Sequence, residues 1–419
     1  MRAAKVSPAL CFGCLDYGKR VFLKVWKGNN LSMELTKLFR DFFNSEKIGG
    51  LLLLVCTIVS IFIANSHFGA SYLHFWHSHI DLSFGKVFLD YSIEHWVNDG
   101  LMSIFFLLVG LEIERELYKG ELSELKNAVL PIGAALGGMI LPALIYWIIT
   151  MNSADQSGFG IPMATDIAFA LGMLALAGNR VPFSIKIFLT ALAIIDDLGA
   201  ILIIAIFYNT GISWIYLGTA AGIFALLMIL NKTGVKPLLF YLVPGVVMWY
   251  CMLQSGVHAT ISGVLLAFAI PFSKNDRTNP SYLLQHALHK PIAFIILPIF
   301  ALANTGILLN EGWFQTLFSA NSLGIMAGLF IGKPLGILLF SWLLVKWKFS
   351  NLPEGSTWNQ LAGAAILAGI GFTMSIFISN LAFSDAVMIQ NSKIAVLAAS
   401  LLATIAGLVL LFSTSRQRV

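Results

Sequence analysis

Asp166, Asp196, Asp197 and Lys333 each sit near the middle of a long apolar run, and Asp99, Glu112 and His258 sit nearer the ends of such runs. Hydrocarbon excludes charge: an ion held there costs several kcal/mol unless it is paired, hydrated or neutralised. Four such groups near one depth are hard to explain as packing, and they mark a place where charge is handled. Asp196 and Asp197 are consecutive in ALAIIDDLGAIL, and consecutive helical residues point about 100° apart. One of them is therefore expected to address a cation, and the other a neighbouring helix or a partner charge such as Lys333. Desolvation favours the protonated form of a carboxylate, while a bound cation or an adjacent ammonium favours the ionised form. Such a pair takes either a proton or a metal ion near neutral pH. An acid that must lose its proton before it coordinates an ion couples the two flows without a separate energy source, provided that only loaded sites change sides.

Acids at that depth need elements that leave room for ions, and two apolar segments carry breaks. IPMATDIAFALG has Pro162 near its start and Thr165 and Asp166 in its middle; AILAGIGFTMSIF has Gly369 and Gly371 before Thr373. Interrupted apolar segments predict unwound backbone at membrane depth, tolerated only where it lines protein or a wet cavity. Glycine in membrane helices also serves plain close packing. Half-helix ends carry partial charges, positive at N-termini and negative at C-termini, so Asp166 is expected to offset the first and Lys333 the second.

The chain as a whole is built for lipid. Of its 419 residues 58% are hydrophobic and 11% charged, against roughly 25% charged in soluble domains, and mean hydropathy is +0.83. A spanning helix takes about 20 apolar residues. Twelve runs bounded by charge or turn residues are read, at about 49–65, 96–111, 128–150, 161–177, 183–207, 214–230, 238–253, 257–270, 291–309, 323–345, 358–382 and 393–413. Only Gln254, Ser255 and Gly256 separate the seventh from the eighth. The expected fold is an all-α polytopic membrane protein. Cationic loops stay cytoplasmic. With the N-terminus inside, every Lys and Arg falls inside except Lys86 and Lys393, which lie outside, and Lys333, which lies in the membrane. Both termini are then cytoplasmic, and the net charge of +5 reflects topology rather than a nucleic-acid partner. The interrupted spans, four and eleven, differ by an odd number and so cross in opposite directions. Spans 3–5 and 10–12 are therefore expected to be inverted repeats with discontinuous middle helices, the arrangement that marks a transporter's binding site.

Three parts are expected: a cytoplasmic extension and interfacial helix (1–48), a transmembrane domain (49–413) and a cytoplasmic tail (414–419). Cys11 and Cys14 form a lone CxxC with no second ligand pair, and residues 1–32 lack the continuous apolar stretch of a signal peptide. Met33 is an alternative start. Beyond it Leu35, Leu38, Phe39, Phe42 and Phe43 share a helical face beside Lys37 and Arg40, the pattern of a helix lying in the membrane interface. The one long outside segment, 66–95, has turn signals at Gly69 and Gly85 and flanks that pair as a hairpin; its His74, His77 and His79 read as a solvated His-rich loop rather than a metal site.

MATDIAFALGMLAL, KIFLTALAIIDDLGAILIIAIFY, SGVHATISGVLLAF, IGKPLG and GIGFTMSIFI, in this order, resemble the bacterial NhaA family of sodium/proton antiporters, over about residue 36 to the C-terminus. The resemblance implies that Asp197 and Asp196 form the cation and proton site. It implies that Thr165 and Asp166 lie where two broken helices cross, and that Lys333 balances charge there and exchanges a salt bridge with Asp196. It also implies a pH-sensing cytoplasmic funnel with Glu112, Arg115, Glu116, His258 and His286, and a homodimer formed through the 66–95 hairpin. The residues alone support the funnel less: the mixed charges of GLEIERELYKGELSEL are more often a solvated helix end, and His258 reads equally as a packing histidine. One departure stands out, because Gln285 occupies the place before His286 where the family commonly has an acid.

The expected activity is secondary exchange of sodium or lithium against external protons across the bacterial inner membrane, by alternating access, electrogenic and pH-regulated. No cofactor and no enzymatic role are expected. A membrane-embedded aspartyl protease would also bury two aspartates, but needs them on separate helices around one water, which adjacent Asp196 and Asp197 fit badly. A neutral or anion transporter on the same scaffold is the nearer rival, and it has no need of paired acids opposite a membrane lysine. No GxxxxGK[ST] loop is present, which points to the proton gradient rather than ATP as the driving force.

Overall fold

The computed structural model describes residues 48–414 apart from 86, 152, 210, 274–278 and 310. The CxxC, the interfacial helix and the terminal tail lie outside the described residues. Nearly everything described is helical, as it must be where hydrocarbon leaves no water to satisfy backbone groups. The elements that matter to function are α1 (Ile48–Ala64), α2 (Gly69–His77), α3 (Ile93–Lys119), α4 (Leu125–Ile149), α5 (Ile167–Leu176), α6 (Phe183–Phe207), α7 (Trp214–Lys232), α8 (Leu239–Gln254), α9 (Ile261–Ala269), α10 (Pro280–Asn304), α11 (Ala320–Lys346), α12 (Trp358–Ala368), α13 (Phe372–Ala382) and α14 (Ala386–Thr414).

Among the described residues seven helices are long and apolar enough to cross a membrane, or up to ten if each of three bent pairs is one span. The bent pairs are α1 with α2, at 113°; a 3-10 segment Ala154–Met163 with α5, at 43°; and α12 with α13, at 42°. The other two expected spans fall short. α8 has 16 residues and α9 only nine, because Gly256 takes φ +79 and residues 255–260 turn instead of continuing a helix. The fourth expected run also starts earlier than the hydropathy suggests. Its first half is the 3-10 segment Ala154–Met163, whose polar residues Asp155, Gln156 and Ser157 hide it from an apolar window. Elsewhere the reading by runs is close, and α6 spans 183–207 as expected.

Among the described residues three helices contain π-helical turns: Trp96–Leu101 in α3, Ile292–Ile296 in α10 and Gly328–Gly332 in α11. In α10 and α11 a proline, Pro298 or Pro334, follows by two residues. A proline ring crowds the carbonyl four residues back and offers no N–H, and widening the preceding turn relieves that clash. In α11 the widened turn directly precedes Lys333.

α11 lies against α4 through small residues. A Cβ on Gly336 or Gly137 would run into the other helix's backbone, and one on Gly138 would sit 2.9 Å from Ile337. Such contacts let membrane helices pack by van der Waals surface where the hydrophobic effect contributes little.

Outside the bundle, β1 (His79–Asp81) and β2 (Asp90–Ser92) pair antiparallel in the 66–95 segment, with Gly85 at φ +61 near the tip. The hairpin read from sequence is thus present, preceded by α2. Asp81 accepts the Ser83 N–H at 2.8 Å, and this bonding holds its carboxyl below the usual range. His77 faces Glu94 at 3.4 Å and His79 faces Asp90 at 3.0 Å, so these two loop histidines sit beside acids. Among the described residues no group of three His, Cys, Asp or Glu is arranged to hold a metal ion.

Candidate ion-binding site

Asp196 and Asp197 lie roughly midway along α6, and both are 0% exposed. Their side chains diverge as adjacent helical positions must. Asp196 Oδ2 lies 2.8 Å from Lys333 Nζ, with both side chains fully buried, and it also accepts the Thr165 hydroxyl at 2.8 Å. Lys333 donates a second bond to the Met163 carbonyl. That carbonyl closes the 3-10 half of the first broken pair, so the ammonium meets the negative end of a half-helix.

Asp197 is different. Neither of its carboxyl oxygens has a hydrogen-bond partner within the protein, and the same holds for Asp196 Oδ1. Asp197 lies within electrostatic reach of Asp196, Asp166, Lys333 and Glu112. Buried polar atoms are nearly always paired. Three carboxyl oxygens from two adjacent residues are therefore left without a protein partner, a chemistry open to a small cation or to protons and poorly suited to an anion.

Asp166 is the N-cap of α5, where Oδ1 accepts the Phe169 N–H at 2.9 Å. Its other oxygen reaches the second broken pair, accepting the Thr373 N–H at 3.0 Å and the Thr373 hydroxyl at 2.5 Å. One carboxylate thus caps two half-helix N-termini. The backbone continues the contact, since Asp166 N–H donates to the Ile370 carbonyl at 2.7 Å. Ser375 likewise donates to the Ile161 carbonyl at 2.7 Å. The breaks of the two bent pairs therefore meet.

Thr165 has one hydroxyl proton but two acceptors in range, Asp196 Oδ2 at 2.8 Å and the Ala368 carbonyl at 3.0 Å. It donates to one at a time. A proton on Asp196 can be donated to the Thr165 oxygen and turn the threonine toward Ala368, at the C-terminal end of α12. Charge on Asp196 is in this way linked to the joint between the broken pairs.

The glycines at the second break act through space rather than torsion. Gly369 and Gly371 have φ of −69 and −90, open to any residue. A Cβ on Gly369 would strike the Leu329 carbonyl, and one on Gly371 would lie 2.9 Å from Leu329 Cδ2. Their role is to let the π-helical turn ahead of Lys333 approach the break.

The residues expected to form a pH-sensing funnel do not all gather. Glu112, Glu114 and Glu116 at the end of α3 are buried, at 9%, 5% and 9% exposure, so this charged stretch is no solvated helix end. Arg115 pairs with Glu116 at 3.1 Å. Gln285 on α10 lies beside Glu112, and Ser281 donates to Glu114 at 3.2 Å. His286 is exposed and stacks on Tyr282, turned away from the Gln285 face. His258 belongs elsewhere: its Nε2 lies 2.6 Å from the Tyr208 carbonyl, beside Asp99 near the opposite end of α3. Thirteen residues of helix separate Asp99 from Glu112, about 20 Å, which removes His258 from that cluster. The sequence gives no sign that Glu114, standing among Glu112, Arg115 and Glu116, is buried, or that Thr373 bonds Asp166.

The model of the family "Na+/H+ antiporter 1" matches residues 40–411. The chain belongs to that family. It is 56% identical over 375 residues to the Na(+)/H(+) antiporter NhaA of Flavobacterium psychrophilum, covering 90% of this chain and 96% of that one. It is 55% identical over 385 residues to the protein of the same name from Cytophaga hutchinsonii, covering 92% and 97%. Among solved structures, the sodium proton antiporter MjNhaP1 from Methanocaldococcus jannaschii matches 90% of this chain and 96% of its own with a TM-score of 0.49 at 14% identity. Membership of the Na+/H+ antiporter 1 family puts the protein among multi-pass membrane transporters rather than enzymes.

Proposed function

We propose that the protein is a secondary-active antiporter that exports Na+, or Li+, in exchange for external H+ by alternating access. The observation that carries the reading is the asymmetry of the buried pair: Asp196 is tied to Lys333 and Thr165, while both Asp197 oxygens are orphaned. Asp197 is the group that takes the cation, and Asp196 assists once Lys333 releases it. Protons on these acids expel the ion, and the ion expels the protons, so the flows are coupled by competition for the same oxygens. If two protons leave for each Na+ bound, the exchange is electrogenic.

The supporting frame is a crossing of two discontinuous spans within inverted repeats of a twelve-span protein, and what favours it is the reciprocal bonding at Asp166, Thr165, Ile370 and Thr373. On this reading α8 and α9 are short spans sheltered by their neighbours. The distribution of Lys and Arg favours both termini on the cytoplasmic face of the inner membrane. The buried cluster at Glu112, Arg115, Glu116 and Glu114, with α10 alongside, supports pH regulation from the cytoplasmic side. The 66–95 hairpin supports homodimerisation, because it carries Phe84 and Phe88 at 85% and 73% exposure.

The test is dequenching of a pH dye in everted vesicles on addition of Na+, Li+ and K+ in turn. Na+ and Li+ are expected to dequench and K+ not. Asp197→Asn removes the charge with almost no change of shape, and is expected to abolish the response while leaving protein in the membrane. Exchange that survives this substitution refutes the assignment.

A further inference from the structure

The first half of the earlier broken span is ten residues of 3-10 helix, Ala154–Met163, a conformation whose poorer hydrogen bonds rarely sustain more than three or four residues. Yet its last carbonyl, Met163, has to stand where Lys333 donates to it, and Thr165, two residues on, has to meet Asp196 at 2.8 Å. Groups outside the segment must hold it there, and two buried tyrosines do so. Tyr208, the residue that ends α6, donates its hydroxyl to the Ser157 carbonyl at 2.7 Å and accepts the Gly160 N–H at 3.2 Å. Tyr146 comes from α4, and its one hydroxyl proton serves the Asp155 carbonyl at 2.7 Å or the Asn321 side-chain oxygen at 2.8 Å, one at a time. Asn321 stands twelve residues before Lys333 on α11 and donates to Ser392 of α14 at 2.8 Å. The chain is cut to receive both hydroxyls. A Cβ on Gly158 would lie 2.3 Å from the Tyr146 hydroxyl, and one on Gly160 would lie 2.6 Å from the Tyr208 hydroxyl. The alternation Gly158, Phe159, Gly160 thus sets a glycine opposite each tyrosine.

We infer that Tyr146 and Tyr208 are positioning residues for the ion site: they clamp the 3-10 half-helix to the helices that carry Lys333 and the paired acids, and so fix how strongly Met163 draws Lys333 away from Asp196. The inference rests on the antiport reading above for what the site binds. Met163 and Asp196 share one ammonium. When the clamp is loosened, the carbonyl drifts from Lys333, the ammonium settles on Asp196, and the cation loses the acid that assists Asp197. Affinity for the cation then weakens while the maximal rate changes little, because the acids and the bonds of Asp166 are untouched.

Phenylalanine at either position deletes the hydroxyl alone, and at 208 it keeps the backbone carbonyl that meets His258. Tyr241→Phe is the control: Tyr241 is also fully buried and donates to a backbone carbonyl, that of Val235 at 2.7 Å, but it lies in the cluster formed by α7, α8 and α9. Amide hydrogen exchange of the full chain, read by mass spectrometry on peptides spanning 154–163, is expected to quicken about tenfold in Tyr146→Phe and in Tyr208→Phe, and to stay at the parent rate in Tyr241→Phe. In everted vesicles the apparent KM for Na+ is expected to rise about threefold in each of the two and about tenfold in the double variant, with the maximal rate within about twofold of the parent. Gly160→Ala breaks the Tyr208 bond from its other side and stands in if the phenylalanine variants do not fold, with the same rises required. Unchanged exchange across 154–163 overturns the clamp. Quickened exchange with an unmoved KM overturns the positioning role, and so does a KM that rises as much in Tyr241→Phe. A parent protein with no Na+ response sinks the antiport reading instead, and the exchange rates still decide whether the clamp exists.

Discussion

Lys333 and Asp196 stabilise each other only as a pair. Both are fully buried, and removing one partner of such a pair leaves an uncompensated charge, at a cost of about 3–5 kcal/mol. Lys333→Met is therefore expected to lower the melting temperature in detergent strongly, and Lys333→Met with Asp196→Leu to recover much of the loss without restoring exchange. Asp197→Asn is the contrasting case. The carboxylate makes no hydrogen bond in the protein, so its replacement breaks none and leaves the melting temperature at or above that of the parent. If Asp197→Asn proved as destabilising as Lys333→Met, the division of labour between the two acids would be wrong. At this scale much was legible in the sequence. Charge in an apolar run is conspicuous, and the 100° offset of adjacent residues requires the acids to have different partners. Which acid meets Lys333 is not a local property, because it depends on how α11 is rotated against α6. Glu114 was illegible for a related reason: only the packing of α10 onto α3 buries it.

At the scale of elements the breaks are held by close approach, and glycine substitutions separate space from flexibility. Gly369→Ala puts a methyl group into the Leu329 carbonyl, so either the Lys333 helix or the break must move. The expected outcome is folded protein with exchange reduced at least tenfold, read by dye dequenching. Gly218→Ala and Gly222→Ala on α7 are the controls, since a Cβ there meets nothing within 4 Å. Alanine at these exposed helical sites should stabilise by roughly 0.5–1 kcal/mol and leave exchange intact. Asp166→Ala removes the caps of two half-helices at once, about 1 kcal/mol for each, and orphans the Thr373 hydroxyl, so its melting temperature should fall further than a single lost cap explains. The positions of the breaks could be read from Pro162, Gly369 and Gly371. That the first half of the earlier pair is a 3-10 segment reaching back to Ala154 could not, because its polar start lies below any hydropathy threshold. The short α9 was hidden in the opposite way, by the apolar Val257 and Ala259 beyond Gly256, which do not form helix.

At the scale of the molecule, two shared acids and one lysine make exchange depend on pH in a definite sense. A site that holds either protons or Na+ shows an apparent affinity for Na+ that weakens as pH falls, by about one decade per pH unit for each proton displaced, until the acids are ionised and the dependence flattens. Between pH 6 and 9 the apparent KM for Na+ should therefore fall steeply at the acid end and level off at the alkaline end. Saturating Na+ should restore the rate wherever competition alone limits it. Regulation from the Glu112, Glu114 and Glu116 cluster would act otherwise, by changing how many molecules can cycle, and would lower the maximal rate at acid pH even in excess Na+. The two contributions part in one experiment: Glu114→Gln neutralises a buried acid of the cluster without touching Asp196 or Asp197, so it should change the pH dependence of the maximal rate and leave the slope of log KM against pH as it was. A KM that does not vary with pH in the parent protein would mean that protons and Na+ do not share oxygens, and coupling would then have to come from somewhere other than the orphaned carboxylates of α6.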